Sequence, residues 1–129
     1  MILHASALIA ILRQEPEAAN FARAIEKAPV RRISAANYVE AAVVIDAQRD
    51  PIASRRFDEL METAEVEIAA ITPDQARLAR DAYRHFGRGS GHPAKLNFGD
   101  CFAYALAVSS GEPLLAKGGE FRKAGLKLA

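Results

Sequence analysis

A chain of 129 residues with formal net charge +1, 50% hydrophobic and 26% charged, has the size and make-up of one globular domain built on one core. That balance excludes a disordered chain, and near-neutral charge excludes a nucleic-acid footprint written in bulk composition. A single cysteine, Cys101, excludes an intrachain disulfide, no apolar run reaches membrane-spanning length, and the opening MILHASALIAILRQE lacks the basic stretch of a secretory leader, so a reducing cytoplasm is the expected setting.

Met1 to Leu3 is a short apolar run and predicts a buried strand. Ala5 to Arg13 predicts an apolar helix, broken at Glu15-Pro16. Glu17 to Ala28 is amphipathic, with Ala18, Phe21, Ala22 and Ile25 on one face and Arg23, Glu26 and Lys27 opposite. Pro29 ends it, and Val30 to Ile33 predicts a second strand. Ser34 is placed to cap a long helix over Ala35 to Gln48, and Arg49-Asp50-Pro51 makes a turn. A further amphipathic helix, Ile52 to Ala64, carries Phe57, Leu60 and Met61 on its apolar face. Val66 to Ile71 alternates as a third strand. Thr72-Pro73-Asp74-Gln75 opens the next helix with a cap, a proline at the first position and a capping box. Gly87 to Lys95 (GRGSGHPAK) predicts a flexible basic loop. Pro113 to Ala116 predicts a fourth strand, and Leu126 to Leu128 a short edge strand. Strands alternating with helices predict an α/β sandwich of one domain, 1–129, on a mostly parallel sheet of four to five strands.

The most informative stretch is NFGDCFAYALA, Asn97 to Ala107. Phe98, Cys101, Phe102, Ala105 and Leu106 recur at helical spacing, so most of the circumference is apolar. Asn97 is a good N-cap and Gly111 a stop. Asp100 lies in the first turn, where a carboxylate either complements the helix dipole or is paired or bound to a cation.

Four further positions fall where strands end or helices begin. His4 and Ser6 follow the first strand, Glu40 lies one turn into the helix after the second, and Glu120 follows the fourth. In a parallel sheet these places share one edge, where working sites lie. Clustered carboxylates there repel one another unless a hard divalent ion sits between them. Such an ion activates water and stabilises a phosphodiester transition state. Ser6 either caps the first helix or orients the site. Asn97 is foremost a cap, with substrate contact as its second reading. Lys117 either neutralises a site carboxylate or binds phosphate. Arg88, His92 and Lys95, with Arg84 and His85 before them, form a local basic patch suited to RNA phosphates.

The blocks MILHASALIAIL, SAANYVEAAVVI around Glu40, HPAKLNFGDCFAYALA around Asp100 and EPLLAKGGEF near the C-terminus occur in order and at family spacing. On them the chain resembles the PIN-domain ribonucleases, specifically VapC-type toxins of bacterial toxin–antitoxin pairs. The resemblance implies a three-layer sandwich and a Mg²⁺- or Mn²⁺-dependent endoribonuclease. It also implies a homodimer held inactive by a small VapB-like antitoxin. Carried over residue by residue, it places Glu40, Asp100 and Glu120 in catalysis and Glu40, Asp100 and His4 at the metal. The family has aspartate where this chain has His4, and aspartate near Gly119-Glu120. Imidazole removes a negative charge and a hard oxygen ligand. The expectation is therefore an impaired ribonuclease, with a catalytically inactive binding partner of an antitoxin as the alternative. A small α/β ligand-binding domain is the reading from another class. It lacks both a Gly-rich loop after the first strand and a phosphoacceptor aspartate.

Overall fold

A computed structural model describes residues 1–129. The elements run β1 (Ile2–Leu3), α1 (Ala5–Leu12), α2 (Ala18–Lys27), β2 (Arg32–Ser34), α3 (Ala35–Asp46), α4 (Pro51–Thr63), β3 (Glu67–Ala69), α5 (Pro73–Phe86), α6 (Phe98–Ser110), β4 (Leu114–Leu115) and α7 (Glu120–Lys123). Four parallel strands lie in the order β3-β2-β1-β4. The expected edge strand at Leu126 to Leu128 is reduced to one bridge, Leu114 to Leu128.

Alternation along the strands builds the three layers. Ile2 and its register partner Leu114 face one side and pack with α5, α6 and Phe121 of α7. Leu3, with its partners Ile33 and Leu115, faces the other side and packs with α1, α2, α3 and α4. All five of these side chains are buried, as a parallel sheet covered on both faces requires.

The helix starts follow their sequence signals with two differences. Thr72 caps α5 by accepting the Gln75 N–H, and Asp50 caps α4 by accepting the Ile52 N–H. Ser34 occupies the N-cap of α3, but its buried hydroxyl makes no capping bond. At α1 the cap is His4 rather than Ser6. Phe98, counted with the buried face of α6, is 77% exposed. The expected flexible loop after α5 is instead tied: Arg88 N–H and Leu96 N–H bond across its neck, and Ser90 Oγ and His92 Nδ1 bond inside it.

Candidate active site

His4 leaves the carboxyl end of β1, its N–H donating to Leu115 O of β4. Its Nδ1 accepts the Ser6 N–H at 3.1 Å and lies 2.8 Å from Ser6 Oγ. Ser6 Oγ already accepts the Lys117 N–H at 2.9 Å, which leaves the hydroxyl proton to be donated to Nδ1. This network assigns the ring proton to Nε2. Nε2 is 2.9 Å from Asp100 Oδ1, with both side chains only partly exposed, 12% and 13%. The contact is close but not aligned as a hydrogen bond, so it is a charge–dipole contact and leaves buried Nε2 without a true acceptor.

Asp100 serves two ends at once. Its N–H donates to Asn97 Oδ1 at 2.8 Å, and its Oδ2 accepts the Asn97 N–H at 3.0 Å, a complete capping box. The remaining oxygen, Oδ1, is the one facing His4. Burial, then the Asp100 charge beside it, pushes the Cys101 thiol up to about 11. Cys101 is thus a neutral thiol at physiological pH, donating to Asn97 O, and neither a nucleophile nor a soft metal ligand.

Glu40 reaches the same helix start from α3. Asn37, fully buried, donates from Nδ2 to Gly99 O at 2.9 Å and to Glu40 Oε1 at 3.3 Å. The Glu40 carboxylate of α3 lies directly on Gly99, the residue that precedes Asp100 in α6, and leaves no room for a Cβ there. Sequence reasoning passed over Asn37 and Gly99. The available signal was an asparagine one helical turn before Glu40 in an otherwise apolar segment, which a buried polar group must answer with a partner.

Beside Asp100 opens a cleft of about 590 Å³, bordered also by His4, Asn97 and Glu120. Its cationic rim is Arg88, Lys95 and Lys123, the last not singled out from sequence. Lys117 also borders it, but its ammonium pairs with Glu15 at 3.2 Å and Glu17 at 3.5 Å. The hydrogen bond to Glu15 is the chief cause of its raised pKa. Glu120 opens α7 with its carboxylate folded over Gly118, a position with φ +96°.

This arrangement does not fit a divalent ion. The His4 lone pair is committed to Ser6, the other ring nitrogen carries a proton, and no three His, Cys, Asp or Glu side chains gather closely enough to hold one. Glu40 is not among the residues bordering the cleft.

The family description "PIN domain" matches residues 1–127. Ribonuclease VapC28 of Mycobacterium tuberculosis is 57% identical over 129 residues, covering 100% of this chain and 97% of that protein. Ribonuclease VapC of Mycolicibacterium smegmatis is 47% identical, covering 95% and 94%. Among solved structures, the Mycobacterium tuberculosis VapC20, described as a sarcin–ricin loop cleaving toxin, superposes with a TM-score of 0.78 at 18% identity, covering 99% of this chain and 97% of that one. A fold match over the full length, joined to identity of this order with VapC ribonucleases, makes the chain a member of the PIN-domain family, in its VapC branch.

Proposed function

We propose that the chain is an RNA-directed toxin of the VapC type whose hydrolytic site is impaired by His4. The supporting relatives are named ribonucleases. The observation that carries the impairment is the 2.9 Å contact between His4 Nε2 and Asp100 Oδ1, with Nδ1 held by Ser6. A proton-bearing imidazole occupies the position at which this reading needs a carboxylate. Glu40 and Asp100 are the acids of the site, Glu120 the auxiliary one, and Arg88 and Lys95 the RNA contacts. Replacing His4 by aspartate restores a third carboxylate beside Asp100 and with it a Mg²⁺ or Mn²⁺ requirement. Incubating both versions with a structured RNA, with either ion and with chelator, tests this. The expected result is cleavage by His4→Asp that chelator abolishes, and cleavage by the parent chain at least a hundredfold slower, on the order of the loss when one key electrostatic group is removed. Equal, chelator-sensitive cleavage by both overturns the reading.

Two apolar surfaces support the partners of this reading. Ile11, Ala22, Ile25, Leu60 and Ala64 line a groove of about 360 Å³ between α1, α2 and α4, which suits the apolar face of an antitoxin helix. On the opposite layer, Ala76, Ala79, Tyr83, Phe98, Cys101 and Phe102 line a groove of about 290 Å³ that suits a second copy of the chain. If catalysis is lost, antitoxin binding persists, because the first groove lies apart from His4. That is the alternative role as an inactive binding partner. No helix is long and apolar enough to cross a membrane.

A further inference from the structure

The charge pattern of the cleft points beyond an impaired metal site. Asp100, its one buried carboxylate, has one oxygen accepting the Asn97 N–H and the other against the His4 ring. Arg88, Lys95 and Lys123 border the same cleft, and none of the three has an ion-pair partner. Lys117, by contrast, is held by two glutamates. Arg88 and Lys95 sit at the two ends of a loop closed by the Arg88 N–H to Leu96 O bond, so their backbones are held together. Lys123 comes from α7, beside Phe121, whose ring packs edge-on against His4 at 5.2 Å. Three unpaired cations from two separate segments thus converge on a cleft whose buried acid is already engaged.

We propose that the cleft grips an RNA phosphate without a divalent ion, through Arg88, Lys95 and Lys123, with Lys123 an RNA-binding residue and Lys117 not one. The side-chain cations supply the positive charge that a bound metal otherwise presents to the backbone. This rests on the RNA reading above and specifies how the RNA is held.

The test is fluorescence anisotropy of the full chain with a labelled single-stranded RNA, titrated in chelator and again in Mg²⁺, over a range of salt. The expected affinity is the same within twofold in both. Lys123→Gln weakens it about fivefold near 0.1 M salt and lowers the log–log salt slope by about 0.7, the share of one single-strand phosphate contact. Arg88→Gln does the same, while Lys117→Gln leaves affinity and slope unchanged. Lys123 and Arg88 are exposed, so the variants fold, and circular dichroism verifies it. Binding that appears only with Mg²⁺ overturns the inference and leaves the RNA reading standing. A Lys123→Gln variant that binds like the parent overturns the assignment of Lys123. Absence of binding under either condition overturns both.

Discussion

At position 4 the proposed function asks two things of the side chain, and the imidazole performs only one of them. Nδ1 caps α1 as a carboxylate oxygen does, by accepting the Ser6 N–H. Nε2 brings a proton, not a lone pair, to Asp100. His4→Asp keeps the cap and puts like charges side by side. It is therefore expected to melt lower than the parent in chelator and to gain stability on adding Mg²⁺ or Mn²⁺, while the parent shows no shift; differential scanning fluorimetry reads both. Gly99 is the second decisive position. Gly99→Ala drives a methyl group into the Glu40 carboxylate and disturbs the Asn37 bond to Gly99 O, with an expected loss of about 1–3 kcal/mol in denaturant unfolding. His4, Glu40 and Asp100 were legible in sequence because acids and imidazoles in apolar segments stand out. Asn37 was not, because its role depends on the carbonyl of a residue sixty-two positions away. Phe98 misled for a related reason: periodicity marks an apolar face but not whether the same chain covers it.

The elements themselves were largely legible, since each helix carries its own start or stop. Val30 to Ile33 and Val66 to Ile71 gave strands of only three residues, Arg32–Ser34 and Glu67–Ala69, because ladder length is set by the neighbouring strand and not by local alternation. The helix ends hold a reserve of stability. Gln14 and Glu65 sit at positive φ, 53° and 50°, just after α1 and α4. Each is followed by a residue whose N–H reaches back into the helix, Glu15 to Ala10 O and Val66 to Met61 O. Glycine adopts this conformation freely. Glu65→Gly is expected to stabilise by about 1 kcal/mol, read as a higher urea midpoint at unchanged slope. Lys95 has the same backbone strain, φ 51°, but borders the cleft. Lys95→Gly is expected to raise stability similarly and, on the proposal above, to weaken RNA binding.

For the whole molecule, the two ends of the sheet carry opposite kinds of charge cluster. At the end away from His4, the Met1 ammonium donates to Glu112 Oε1 at 3.0 Å, and Arg32 donates to Glu112 Oε2 at 2.6 Å. Burial by itself raises the Glu112 carboxyl, but the Met1 hydrogen bond and the Met1 and Arg32 charges outweigh it and hold the carboxyl below its ordinary value. The sign follows: a carboxyl that is more acidic folded than unfolded stabilises fully above the unfolded value, near pH 4.3 for glutamate. That contribution fades as pH falls through the folded value. Glu112→Gln is expected to cost about 1 kcal/mol at pH 7, discounted for partial exposure, and progressively less as pH falls below the unfolded value. Urea midpoints across that range check it. On the α5–α6 face, Phe98→Asp is expected to convert a dimer to a monomer in light scattering without disturbing the fold, because the ring is exposed in the single chain.

The bond from the Lys117 backbone to Ser6 Oγ joins the segment entering α7 to the imidazole at the opposite end of the chain. The Ser6 hydroxyl is thereby an internal gauge of where that segment sits. Should RNA held by Lys123 draw α7 outward, Ser6 loses its incoming donor and its hydroxyl is free to turn, while the Ser6 N–H keeps Nδ1 an acceptor. The ¹⁵N shift of His4 Nδ1 then moves as RNA is added, with the tautomer unchanged, giving a spectroscopic readout of occupancy that needs no turnover.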